Sequence, residues 1–262
     1  MAQDIFAEKR YMKRQLIIGA VITLFLILLC ALVYPFIEED QTSMNYPESM
    51  GGFKNKGYYK IDPGTILASL DEGKANVFMP LLEDPNDIKE SYTVSWTQSD
   101  YLKIADALSQ EVWKEPLELK DWKVLDIGLE KGCANDNGFE SFSMIYYKVV
   151  RLGFQIEYST RYMDMSPSYG YVQWAGDGTF YAPLLAGFQR IDLTNFKIPA
   201  EAALQIADRN GGSVVRAQLA NKCGISVYMP DGDTRNWYVN YGFFTVVVDA
   251  YSGSYKILPS KP

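Results

Sequence analysis

The sequence predicts an α+β protein: one N-terminal transmembrane helix, then an extracytoplasmic domain of two helix-plus-antiparallel-sheet cycles. Three observations carry that expectation. An uncharged run of eighteen residues extends from Leu16 to Val33. Two amphipathic patterns, from Tyr101 to Trp113 and from Pro199 to Ala207, are each followed by strand-like segments. Both cycles contain the string Leu-x-Ile-Ala-Asp, at Leu102 to Asp106 and Leu204 to Asp208.

The apolar run reads LIIGAVITLFLILLCALV. At ~1.5 Å rise per residue, and continued through Phe36 and Ile37, it reaches roughly 30 Å, the thickness of a bilayer's hydrocarbon core. Residues 16–37 are therefore expected to contact membrane lipid. Lys9, Arg10, Lys13 and Arg14 precede the run, whereas Glu38, Glu39 and Asp40 follow it. Basic residues stay on the cytoplasmic side, so the N-terminus is expected inside and the bulk of the chain outside. A cleaved signal peptide is the rival reading. Its apolar region is usually ~7 to 15 residues and ends on small residues, whereas this run closes on Leu32, Val33, Tyr34 and Pro35. Leu29, directly before Cys30, is too large for a lipoprotein acceptor site.

Beyond the first 40 residues, 222 remain, enough for a sizeable hydrophobic core. The net charge of -7 argues against nucleic acid and against a polybasic membrane patch. Of the three cysteines, Cys133 and Cys223 fall outside the expected span and are a candidate disulfide in an oxidising compartment; two free buried thiols are the alternative.

In chain order, residues 1–15 form a short cytoplasmic segment and 16–37 the transmembrane helix. Residues 38–60, rich in Glu, Asp, Ser, Asn, Pro and Gly, read as a linker. An α+β region is expected over 61–195. It opens on a short helix at Pro63 to Leu70, and Ser99 and Asp100 are cap candidates for the helix from Tyr101. Strands follow at Trp122 to Leu129, Phe142 to Arg151 and Phe154 to Tyr162. Tyr169 to Trp174 and Thr179 to Tyr181 flank Gly176-Asp177-Gly178, which reads as a hairpin turn.

The second region, 196–262, opens on a helix with proline in its first turn and Asn210-Gly211-Gly212 as its stop. Strands are expected from Val214 to Leu219 or on to Val227, at Asn236 to Asn240 and at Phe243 to Ala250. Duplication of one module explains the shared helix string, as does the ordinary preference of buried helix faces for Leu, Ile and Ala. Pro199-Ala200-Glu201-Ala202-Ala203-Leu204-Gln205-Ile206-Ala207, Trp237-Tyr238-Val239-Asn240 and Val247-Val248-Asp249-Ala250-Tyr251-Ser252-Gly253 resemble a PepSY-type domain over roughly the last 65 residues. The resemblance implies an inhibitory or chaperone-like module or an accessory ectodomain, and it brings no catalytic residues.

With no histidine in the chain, Ser-His-Asp and Cys-His catalysis and the common zinc sites are excluded. No phosphate loop occurs, and the sequence implies no cofactor. Asp231, Asp233 and Asn236 lack the remaining ligands of an EF-hand and read as a solvated turn, as do Asn135, Asp136, Asn137 and Glu140. Glu157 and Asp164 are the carboxylates named for glycoside hydrolysis, with nothing in the sequence to bring them together. The candidate partner surface is aromatic and sulfur-rich: Tyr162, Met163, Met165, Tyr169, Tyr171 and Trp174, with sheet packing as the alternative.

The expected role is a non-catalytic, single-pass accessory or scaffold protein that binds a protein partner or membrane complex. A tethered PepSY-like inhibitor or chaperone of a secreted hydrolase is the second reading, and a carboxylate-dependent envelope enzyme the third. Self-association is left open. No Asn-x-Ser/Thr sequon occurs, which favours a bacterial envelope.

Overall fold

The computed structural model describes residues 23–25, 28, 53–81, 88, 91–117, 122–134, 138–151, 156–182, 191–193, 195–220, 222–230 and 233–258. The segment 1–15, most of the expected span at 16–37 and residues 38–52 of the linker lie outside them. Residues 23–25 and 28 are helical. Among the described residues, no helix is long and apolar enough to cross a membrane.

The expected two-cycle α+β arrangement is corrected by the sheet, which is single and continuous. Its strands are β1 (Asn55–Lys60), β2 (Met79–Pro80), β3 (Lys123–Gly132), β4 (Ser141–Arg151), β5 (Ile156–Ser166), β6 (Tyr171–Ala182), β7 (Gly224–Met229), β8 (Asn236–Asn240), β9 (Thr245–Asp249) and β10 (Tyr255–Leu258). They run in the order β10-β9-β8-β7-β3-β4-β5-β6-β1-β2, every neighbouring pair antiparallel. Helices are few and short beside it: α1 (Ile66–Asp71), α2 (Gln98–Trp113), α3 (Ala200–Ala207) and α4 (Ser213–Gln218). The strands after α2 and those after α3 meet at the β3–β7 pair, which crosses the expected boundary at 195/196. The expected linker also contributes, since its last six residues are β1, paired with β6.

Period-two alternation gives the sheet a main apolar face, which the helices cover; a smaller buried cluster of Leu125, Tyr147 and Tyr158 lies apart from it. Ile127 and Leu129 of β3, Phe142 and Met144 of β4, and Val227 and Met229 of β7 are buried on the main face. Tyr101, Ile104, Ala105 and Leu108 of α2 pack onto the same core, as do Ala200, Ala203, Leu204 and Ala207 of α3. The two helix starts hold each other. The Gln98 side-chain Oε1 accepts from the Ala200 N–H at 2.9 Å, and the Glu201 carboxylate accepts from the Gln98 N–H. Both are N-terminal donors that a helix cannot satisfy internally. Helix α2 begins earlier than Ser99 suggests: Thr97 caps it, with Asp100 returning a bond from the third helical position.

Two sequence expectations fail because tertiary packing overrides what the glycines suggest. Gly176-Asp177-Gly178 is no hairpin but part of the continuous strand β6. A Cβ at Gly176 would stand 2.5 Å from Trp113 Nε1, so close packing against that indole, rather than a turn, excludes a side chain there. Val214 to Leu219 is no strand: residues 213–218 are α4, because the Asn210-Gly211-Gly212 stop only kinks the chain. Gly211 takes φ +117 inside a short π-helical turn, and the helix resumes beyond it.

Candidate functional site

Helices α1 to α4 pack on one face; on the other, the middle strands carry the buried cluster of Leu125, Tyr147 and Tyr158 toward one end and an open, polar stretch toward the other. Registered neighbours build two rows along the open stretch. In the first, Gln173 of β6 lies beside Asp164 of β5, then Ser143 of β4, Gly128 of β3, Tyr228 of β7 and Tyr238 of β8. In the second, Ser141, Glu130, Ser226 and Asn240 are neighbours in turn, with the Ser166–Tyr171 pair beyond. Glycine and serine at the centre put little above the backbone, while tyrosines stand at either side. The result is a trough of two adjoining hollows of about 570 and 500 Å³, which share Glu130, Ser141, Ser226 and Asn240.

The walls are braced. Tyr228 and Tyr238 stack with ring centroids 5.6 Å apart and 25° between planes. The Tyr238 hydroxyl donates to Asp233 Oδ2 at 2.9 Å, and burial together with that carboxylate pushes the phenol up to about 12. Asp233 also accepts from the Arg235 and Asn236 N–H groups and from the Asn236 amide. Burial alone would raise its carboxyl, but these donors hold it below its ordinary value. The turn reading of Asp233 and Asn236 fits this bonding; Asp231 and Asn135 to Asn137 lie outside the described residues. On the opposite wall, the Tyr162 hydroxyl donates to Asp164 Oδ2 at 2.9 Å.

Asp164 is a carboxyl of the trough with perturbed electrostatics. Burial raises its carboxyl above the ordinary range, bonds from Tyr162 and Ser166 oppose the rise, and the charge of Glu130 adds to it. A carboxyl with a raised native pKa holds its proton more tightly when folded. Its burden on stability is therefore full at neutral pH, lifts as pH falls through the raised native value, and is gone below the ordinary value of about 3.9. Asp164→Asn is expected to melt higher than the parent at pH 7, with the difference vanishing below about pH 4. Thermal melts followed by circular dichroism across that range check this, and a lower melting point at pH 7 contradicts it.

One end of the trough is covalently fixed. Cys133 directly follows β3 and Cys223 directly precedes β7; they form a disulfide with Cα atoms 5.1 Å apart. The Cys133 N–H also donates to the Cys223 carbonyl at 2.8 Å. Gly132 and Gly224, next to the two cysteines, line the larger hollow.

The aromatic candidates divide between faces. Tyr162, Tyr169 and Tyr171 belong to the open side: Tyr169 is 52% exposed at the trough's end, and Tyr171 packs edge-on against Tyr58 at 6.3 Å. Met163 and Met165 are corrected from partner surface to core, each fully buried. Trp174 likewise turns inward, its ring 5.8 Å from Trp113. Adjacent strand residues point to opposite faces, so a segment containing both parities cannot form one surface. Glu157 and Asp164 are seven residues apart on β5, roughly 23 Å at strand rise, far beyond a glycosidase pair. The residues that the sequence reading missed are the small ones, Gly128, Ser143 and Ser226, with Glu130 and Tyr228. Their signal is alternation with apolar neighbours, legible strand by strand. Among the described residues, no group of three or more acidic or cysteine side chains is placed to hold a metal ion. Comparison with family models, with curated proteins and with solved structures finds no match to this chain.

Proposed function

We propose that this chain is a non-catalytic accessory or scaffold protein, held at the outer side of a membrane by its N-terminal apolar run, which binds a protein partner in the trough. The observation that carries the reading is the trough itself: a hollow, tyrosine-walled strip on a sheet face that no described helix covers. Support for placement outside comes from the charge asymmetry around Leu16 to Val33 and from the Cys133–Cys223 disulfide, which suits an oxidising compartment. Leu24, Phe25 and Leu28 of the run carry exposed apolar side chains, as lipid contact requires.

Ser143→Trp fills the floor of the trough from an outward-facing position. Full-length chain and this variant, each cross-linked in intact cells and purified in mild detergent, test the proposal. A discrete partner captured by the parent and lost with Ser143→Trp is the expected result; equal capture by both, or no capture, overturns it. The PepSY-like reading is favoured by one arrangement, helix α3 opened at Pro199 and followed by β7 to β10 with the turn at Asp249 to Gly253. A soluble secreted hydrolase as the captured partner would support it.

A further inference from the structure

The lining of the trough is acidic at its centre. Asp126, Glu130, Glu140 and Asp164 contribute carboxylates, whereas Lys131, the one basic residue along the two hollows, is buried. On the open side, lysines stand at the margins of the sheet, at Lys56 and Lys60 of β1 and Lys256 of β10, and at Lys123, where β3 begins, in register with Tyr147. Glu130 and Asp164 lie two strands apart and repel one another, and Asp164 is recessed. A positive group between them removes that repulsion and compensates the burial of Asp164. Tyr162 of β5 and Tyr228 of β7 line the same hollow as Glu130 and Asp164, and aromatic rings there favour a cation.

The trough crosses β5, β4, β3, β7 and β8, four interstrand steps of about 4.8 Å, or about 19 Å. An extended chain of about six residues spans that distance. The small floor accepts a backbone, and side chains of alternate residues reach it.

We infer that the partner lays an extended segment bearing lysine or arginine across the trough, with one cationic group seated between Glu130 and Asp164. The inference rests on reading the trough as the partner site and adds the chemistry of what enters it. The opposed charges also make association dependent on ionic strength.

The test uses the full chain in detergent and a fluorescein-labelled hexapeptide of alternating lysine and serine, followed by fluorescence anisotropy. The same peptide with glutamate for lysine and an unlabelled chitin hexasaccharide are the comparison probes. The lysine peptide is expected to bind, more weakly as salt rises, and Glu130→Gln with Asp164→Asn to lose at least about tenfold in affinity. Since Asp164→Asn is expected to stabilise the fold, such a loss is not a folding defect, and the melting curve shows this directly. Glu111→Gln, on α2 across the sheet, is expected to bind like the parent. Equal binding of the glutamate peptide, unchanged binding by the double variant, or binding of the saccharide in place of the peptide overturns the inference. Partner capture that is lost with Ser143→Trp, alongside indifference to the lysine peptide, refutes the cationic segment and leaves the partner-binding reading intact. Capture unaffected by Ser143→Trp refutes that reading instead.

Discussion

Replacing Cys133 and Cys223 together by alanine lowers the unfolding free energy by about 4 kcal/mol. The bond closes a loop across a sequence separation of 90 residues. On the chain-entropy model, a closure of that length restricts the unfolded ensemble by about 4 to 5 kcal/mol, while measured removals of native disulfides fall at about 2 to 5. The location adds to the effect. The bond joins the ends of β3 and β7, the pair through which the two halves of the sheet are continuous. Without it, Gly132 and Gly224 have only the backbone pairing to hold that end of the trough. Denaturant titration of parent and double variant, with the m-value compared, checks the result. A change in midpoint worth less than about 1 kcal/mol would show that β3–β7 pairing alone fixes this end.

Trp237→Ala is expected to cost about 4 kcal/mol. The indole is completely buried under α3, its Nε1 donates to the Ile198 carbonyl at 2.9 Å, and Phe196 packs edge-on with centroids 5.7 Å apart. Truncation removes the largest fully buried side chain of the β8–β9 region and orphans a carbonyl just before the proline that opens α3. Trp237→Phe separates the two contributions. It keeps most of the apolar volume and loses the donor, so a cost of about 1 to 2 kcal/mol is expected. Both values come from equilibrium unfolding followed by circular dichroism. If the alanine variant melts with the parent, the helix-on-sheet core around α3 is not what stabilises the C-terminal half.

Element types were largely readable because they depend on neighbours in sequence. The apolar period of Tyr101, Ile104, Ala105 and Leu108 marks α2 without reference to anything distant. The exceptions are instructive. Gly176 and Gly178 look like a turn because glycine tolerates turn geometry, yet here they make room for Trp113 and Thr160, residues 63 and 18 positions away. Asn210-Gly211-Gly212 looks like a stop because local chemistry ends helices, yet Tyr241 and Arg216 bond Asp208 and the helix resumes. The trough was legible only in fragments. Ser141-x-Ser143, Gly128-x-Glu130 and Ser226-x-Tyr228 each show a polar edge, but which edges adjoin depends on the pairing of β3 with both β4 and β7.

The sequence by itself determined the apolar segment with its charged flanks, the absence of histidine chemistry, the two principal helices, and the parity by which each strand divides its side chains. Tertiary structure alone decided that the ten described strands form one sheet, that α1 to α4 share a face, and that Glu130 and Asp164 line the same hollow. The physical reason is range: hydrophobic period and turn chemistry act over a few residues. Strand pairing joins segments such as β3 and β7 across about ninety, where no local preference selects the partner.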